Sequence, residues 1–208
     1  MGFAIGWERG DTIREQAMEE QGRLFAGKYR ILAPLGSDGI SEVYLARQVG
    51  VEGFEKVVAL RKILPELARD EVFVAVFFDE ARAAAKLSHP NVVQIYDLGR
   101  EGDDFFIAME YLEGESLGFT VSHAWKSGHF LIEALVASVI LEVCKGLEYA
   151  HKLEDEDGRP LNIVHGDVCP QKIIVLFSGG VKLVDFGIAQ AASRMHQTPS
   201  GLSKGKPG

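Results

Sequence analysis

The sequence contains few cysteines, no surplus of basic residues and no hydrophobic run long enough for a membrane span. Its two cysteines, Cys144 and Cys169, cannot build a disulfide framework, so we expect a reducing, cytoplasmic chain. Lysine and arginine number 22 against 30 acidic residues, and the net charge of −8 argues against a nucleic-acid partner. The longest apolar stretch, residues 130–143, contains two glutamates and is too short to span a bilayer, so we expect no membrane partner either.

The composition that is present is typical of a globular domain, with 47% hydrophobic and 25% charged residues. Residues 1–26 lack a sustained apolar pattern and are expected to form a leader. Beyond them, alternating apolar side chains separated by turn residues predict an antiparallel sheet with one inserted helix at 73–87. The five predicted strands cover residues 29–35, 42–47, 56–64, 91–98 and 105–111.

The pattern becomes helical after residue 112, which predicts a second, mainly helical lobe. A long helix is expected over 132–153, and short strands are expected over 164–168, 173–177 and 181–184. The apolar face of that helix would consist of Ile132, Leu135, Val136, Val139, Val143, Leu147 and Ala150. The predicted fold class is therefore α+β, with the lobes meeting near residues 112–118.

Four short motifs follow one another in an order that carries chemical meaning. Residues 35–43, LGSDGISEV, would form a glycine-containing loop between two strands, of the kind that covers nucleotide phosphates. Residues 58–61, VALR, end in a cation that can pair with phosphates. Residues 165–172, HGDVCPQK, precede the DFG at 185–187. Each motif is weak alone, but their joint order strongly indicates machinery for phosphoryl transfer from a nucleotide.

In these motifs the chain resembles the eukaryotic-like serine/threonine protein kinases of bacteria, and the resemblance extends over residues 27–208. It implies a protein-kinase-like bilobal fold with a five-stranded small lobe at 27–111. It further implies a partial large lobe at 112–208 that ends within the activation segment. ATP would lie in the cleft between the lobes, with Mg²⁺ as the metal.

The resemblance also implies roles for individual residues. Asp167 would be the catalytic base and Asp185 the magnesium ligand. Arg61 would pair with phosphate and with Glu80 on the following helix. The expected nucleotide-binding residues are Leu35, Gly36, Gly39, Val43, Ala59, Met109, Glu110, Leu112 and Ile174.

Four positions depart from the family pattern and predict weak catalysis. Asp38 replaces a loop glycine and sets a carboxylate against the phosphates, a repulsion of about 4 kcal/mol at ~4 Å and an effective dielectric constant of about 20. Arg61 replaces a lysine, and Lys62 beside it should point to the opposite face of the strand. At the catalytic position 172, Lys172 replaces the asparagine that would hold a second magnesium ion. Gly166 replaces an arginine that would anchor a phosphorylated activation segment.

From these departures we expect an impaired kinase or pseudokinase that binds ATP weakly with one Mg²⁺ ion. It would act in signalling through the nucleotide, or through a partner protein kinase or other signalling protein. Two alternatives stay open, an active serine/threonine kinase seen as a fragment and a nucleotide-free scaffold. The HGD triplet also occurs in aminoglycoside phosphotransferases, but those proteins keep the asparagine that is Lys172 here.

Overall fold

The computed structural model of the chain describes residues 24–186. The first 23 residues, which make up most of the predicted leader, and the predicted activation segment from residue 187 onward lie outside the described residues. A six-stranded sheet, a three-stranded sheet and three α-helices make up the described part. This content agrees with the predicted α+β class.

The six-stranded sheet forms the N-terminal lobe and is antiparallel throughout. Its strands are β1 Leu24–Phe25, β2 Tyr29–Ser37, β3 Ser41–Val49, β4 Glu55–Ile63, β5 Ile95–Glu101 and β6 Asp104–Glu110. They lie in the order β1-β2-β3-β4-β6-β5. Five match predicted strands, although β5 begins four residues later than predicted, and β1 is an addition from the expected leader. Phe25 accounts for this addition, because it is buried and packs edge-on against Phe106 with ring centroids 5.2 Å apart.

One helix, α1 Glu71–Ala85, packs on this sheet. It begins two residues before the predicted start because Asp70 caps it, accepting hydrogen bonds from the backbone N–H groups of Val72 and Phe73 at 2.9 and 3.0 Å. Its buried face carries Phe73 and Phe77, which stack with centroids 6.1 Å apart. The cap and the aromatic face together fix the position of the helix against β5.

The C-terminal lobe is built on the three-stranded sheet of β7 Gly114–Ser116, β8 Ile173–Leu176 and β9 Val181–Leu183. Two helices, α2 Leu117–Lys126 and α3 Glu133–Lys152, belong to this lobe, as does a single-turn 3-10 helix at Pro170–Lys172. A second single-turn 3-10 helix, Val51–Gly53, lies between β3 and β4 of the large sheet. Neither β7 nor α2 is predicted from the sequence. Ser116 caps α2 by accepting from the N–H of Phe119 at 3.1 Å, so a serine cap was the available signal.

The predicted strand at 164–168 is wrong, because the structure forms an irregular loop there. Val164 and Val168 are 53% and 48% exposed, so they do not supply the buried alternation that a strand requires. Between them Gly166 has a positive φ of 80°, which turns the chain, and the buried side chain is the polar His165.

The long helix α3 is present as predicted, but its apolar face is buried along only part of its length. Val139, Val143 and Ala150 are buried in the core of the C-terminal lobe. Toward the N-terminal end, Ile132 just before the helix and Val136 within it are 70% and 39% exposed. No helix within residues 24–186 has the length and apolar character to cross a membrane.

The two lobes are joined by backbone hydrogen bonds at residues 91–93. The N–H of Val93 donates to the carbonyl of Leu183 at 3.0 Å, and the N–H of Leu183 donates to the carbonyl of Asn91 at 2.8 Å. The Asn91 side chain adds a bond to the carbonyl of Val181 at 2.9 Å. These contacts hold β9 against residues 91–93 of the N-terminal lobe.

Candidate functional site

A cavity lies between the two lobes, under the hairpin that connects β2 and β3, and both lobes contribute to its walls. Its charged lining includes Asp38, Arg61, Lys172 and Asp185, which pair with one another and form an ionic end. Most of the remaining lining is apolar and comes from Leu35, Val43, Ala59, Val93, Met109, Leu112, Ile174 and Val184. The cavity therefore has an apolar end and an ionic end, as a site for a base and an anionic tail requires.

Strand register explains how residues distant in sequence reach the same wall. Arg61 lies opposite Val43 on β3, and Ala59 lies opposite Met109 on β6. Because side chains alternate along β4, Ala59 and Arg61 point to the same face of the sheet. Lys62 points to the other face, where its ammonium lies 3.2 Å from Asp104, as the alternation predicts.

Arg61 is the centre of the ionic end. Its side chain is only 2% exposed, and its guanidinium donates to three partners that approach from different directions. Nε donates to the Ser41 hydroxyl at 2.6 Å, while Nη1 and Nη2 pair with Asp185 and Asp38. A buried guanidinium needs such compensation, because an unpaired charge in this environment would be strongly destabilising.

Asp38 is held by the loop as well as by Arg61. One carboxylate oxygen, Oδ1, accepts from the N–H groups of Ile40 and Ser41 at 3.2 and 2.9 Å and from the Ser41 hydroxyl at 2.9 Å. The other oxygen, Oδ2, pairs with Arg61. The backbone N–H groups of the β2–β3 loop thus already bind a carboxylate of the same chain.

Asp185 is paired with two cations, Arg61 through Oδ1 and Lys172 through Oδ2. Lys172 is brought there by the backbone, since the N–H of Val184 donates to its carbonyl at 3.0 Å. Burial by itself would raise the pKa of the Asp185 carboxyl, but the charges of Arg61 and Lys172 outweigh that effect and hold the pKa below its ordinary value. Its backbone is left-handed, with φ 63°, a conformation that is uncommon outside glycine.

This arrangement does not fit a magnesium ion as it stands. Magnesium prefers several oxygen ligands in a near-octahedral shell. Both oxygens of Asp185 are engaged by cations, and within residues 24–186 no group of three or more histidine, cysteine or acidic side chains is placed to hold a metal. An ion at Asp185 would first have to displace Lys172.

The loop that carries Asp167 is fixed by His165. The imidazole Nε2–H donates to the carbonyl of Val184 at 2.9 Å, and Nδ1 accepts from the N–H of Asp167 at 3.2 Å. These two bonds require the neutral ring, and burial lowers the pKa of His165 in agreement with them. Asp167 itself is exposed beside the cavity and does not line it.

Besides Asp167, two further predicted site residues, Gly39 and Glu80, do not line the cavity. Gly39 lies at the tip of the β2–β3 hairpin with φ +85°. Glu80 lines a second cavity, between α1 and residues 161–164. Arg61 forms ion pairs with Asp38 and Asp185, and its expected pair with Glu80 stays a prediction.

The other predicted residues do lie together. Those lining the cavity are Leu35, Gly36, Val43, Ala59, Arg61, Met109, Glu110, Leu112, Lys172, Ile174 and Asp185. Sequence reasoning missed Val93 and Val184 in its walls and Ser41 as a partner of Arg61. The apolar pattern predicted that Val93 and Val184 lie in strands, but nothing in the sequence indicated that they line a cavity and not the hydrophobic core.

The sequence matches a known protein family and several curated bacterial proteins. The protein kinase domain model matches residues 29–203. The chain is 42% identical over 180 residues to the tyrosine-protein kinase MasK of Myxococcus xanthus, a match covering 86% of this chain and 28% of that protein. It is 33% identical over 172 residues to the serine/threonine-protein kinase PrkC of Bacillus subtilis, covering 83% and 24%. The chain thus spans about a quarter of the length of these two curated relatives.

The structure is similar to a solved kinase domain as well. The crystal structure of the Mycobacterium tuberculosis PknI kinase domain matches with a TM-score of 0.66 and 30% sequence identity. The match covers 81% of this chain and 61% of that one. The bilobal fold expected from the sequence is therefore shared with a kinase domain.

Proposed function

Because this chain belongs to the protein kinase family, we propose that it binds an adenine nucleotide in the cavity between its lobes and transfers phosphate slowly or not at all. Protein kinases generally use ATP and Mg²⁺, and phosphoryl transfer depends on cations placed around the reacting phosphate. The observation that carries the proposal is that Arg61 and Lys172 are both paired with Asp185. In this role the protein acts in signalling through the bound nucleotide or through a partner protein kinase or other signalling protein.

Nucleotide binding is supported by the apolar end of the cavity. Val43, Ala59 and Ile174 offer two facing walls from different lobes, between which a flat base fits. Backbone groups of Glu110 and Leu112, in the segment that joins the lobes, are the proposed hydrogen-bond partners of the base. Apolar contact and a few fixed polar groups are the usual composition of such a site.

Impaired transfer is supported by the ionic end. Lys172 stands where the family has a metal-binding asparagine, and it occupies one oxygen of Asp185. Loss of one transition-state stabiliser lowers the rate constant by about 10²–10³, which corresponds to about 3–4 kcal/mol. We therefore propose that one Mg²⁺ ion at most binds with the nucleotide, and weakly, because it must displace an ammonium group from Asp185.

A second candidate function, phosphoryl transfer from ATP to a protein hydroxyl, is favoured by Asp167. This residue stands at the position of the family's catalytic base and its side chain is exposed, as a group that must reach a protein substrate needs to be. The relatives named above include both a tyrosine kinase and a serine/threonine kinase by name.

The experiment that separates the two candidates is phosphate transfer from radiolabelled ATP. It is run on the 208-residue chain and, where the natural protein extends past Gly208, on that longer protein. The triple variant Asp38→Gly, Arg61→Lys, Lys172→Asn is expected to exceed the parent by about 10³-fold, because Asp167 and Asp185 are already present. A matched control adds Asp167→Asn to the triple variant and should return the rate to background. A parent that is as active as the triple variant would contradict the proposed impairment.

A further inference from the structure

The hydrogen-bond donors around the Asp38 carboxylate are of the kind that surround a bound anion in other proteins. Its carboxylate accepts from two backbone N–H groups of the β2–β3 loop, from the Ser41 hydroxyl and from the buried guanidinium of Arg61. Loop amides, a hydroxyl and a fixed cation are the donors that proteins use to bind phosphate groups. The side chain is 16% exposed, so it is held inside the cleft.

We propose that Asp38 is a built-in occupant of the phosphate position, and that the cleft therefore does not favour ATP over adenosine. The inference rests on the proposed function, since it concerns which adenine ligand that same cavity prefers. A phosphate chain can reach Arg61 and the loop amides only by displacing the Asp38 carboxylate. The displaced carboxylate would then remain beside the phosphates and repel them.

The charges at the ionic end support this reading. Arg61 and Lys172 contribute two positive charges, and Asp38 and Asp185 contribute two negative ones, so the cluster is neutral as a whole. A polyphosphate approaching it meets no net positive charge, whereas the base meets an apolar wall. The affinity for an adenine ligand should hence come from contacts with the base, and additional phosphates should increase that affinity only slightly.

The two carboxylate oxygens of Asp38 have different partners, so a substitution can change one set of contacts and keep the other. Oδ1 stabilises the turn through Ile40 and Ser41, while Oδ2 pairs with Arg61. In Asp38→Asn the amide oxygen can keep the turn, but the negative charge and the pairing with Arg61 are lost. Asp103→Asn is a matched control, because it removes the same charge from the fully exposed β5–β6 turn.

The experiment is calorimetric titration of the 208-residue chain with adenosine, AMP, ADP and ATP in the absence of magnesium. We expect the parent and Asp103→Asn to bind ATP no more than about threefold tighter than adenosine. Asp38→Asn should bind ATP about tenfold tighter than the parent does, with adenosine affinity within about twofold of the parent's. Thermal unfolding of each variant shows that it is folded.

Two results would overturn the inference while leaving the proposed function intact. One is a parent that prefers ATP to adenosine by about tenfold or more, and the other is an Asp38→Asn variant with the parent's ratio of affinities. If that variant does not fold, the ligand series on the parent decides by itself. A parent that binds none of the four ligands would instead overturn the proposed function.

Discussion

The two ends of the cavity are built by different physical means. At the apolar end, Ala59 and Met109 lie opposite each other on neighbouring strands, and their positions follow from strand register. At the ionic end, Arg61, Asp38 and Asp185 come from separate segments and are held by their mutual charges. The apolar end consists mainly of aliphatic side chains, while the ionic end consists of paired charges. Changes at the two ends should accordingly have different consequences.

The largest effect should come from removing the buried cation. Arg61→Met leaves Asp38 and Asp185 facing each other without their shared partner, and breaking a buried ion pair in this way costs about 3–5 kcal/mol in the free energy of unfolding. Urea denaturation measures this loss. As a control, Arg82→Met removes an exposed cation paired with Asp79 and should cost about 1 kcal/mol or less. Equal losses in the two variants would contradict the description of Arg61 as the centre of the cluster.

A smaller effect is expected from filling the apolar end. Ala59→Leu extends a side chain into the cavity, so adenosine and ATP should both bind about tenfold more weakly, a difference of about 1.4 kcal/mol. The ratio of the two affinities should not change, because the ionic end is untouched. Calorimetry with both ligands checks this. A selective loss of ATP binding would show that the two ends are not independent.

The apolar end was largely predictable from the sequence, and the ionic end was not. Val43 and Ala59 were expected there because the motifs that contain them resemble those of the protein kinase family. Asp38 was expected to oppose phosphate, but its pairing with Arg61 depends on two side chains 23 residues apart meeting in space. The expected partner of Arg61 was Glu80, and the pairing of Arg61 with Asp185, 124 residues away in the sequence, was not foreseen.

A similar limit applies to the loop before β8. Residues 164–168 begin and end with valine and were predicted to form a strand, whereas the buried side chain in this segment is the polar His165. A histidine that bonds to the backbone on both ring nitrogens fixes a loop without any hydrophobic period. Hydrophobic patterning cannot detect such a residue, because its contacts are long-range and polar.

The smallest effect concerns this histidine and pH. Burial lowers the pKa of His165 below its ordinary value of 6.5, so the unfolded chain takes up a proton first as the pH falls. Its contribution to stability is therefore full above about pH 6.5 and declines below it, with a slope of at most about 1.4 kcal/mol per pH unit. Urea denaturation between pH 8 and pH 5 measures this decline. The loss of stability with falling pH should be weaker in His165→Gln than in the exposed control His151→Gln. Equal slopes in the two variants would contradict the attribution of this loss to His165.

The most direct test of the central claim, that the ionic end neutralises itself, is the magnesium dependence of ATP affinity. Asp185 is occupied by Arg61 and Lys172, so adding magnesium to a calorimetric titration of the parent with ATP should change the dissociation constant by less than about threefold. The affinity should also be weak, with a dissociation constant above about 1 μM. Sub-micromolar binding that strengthens by about tenfold or more with magnesium would contradict the account.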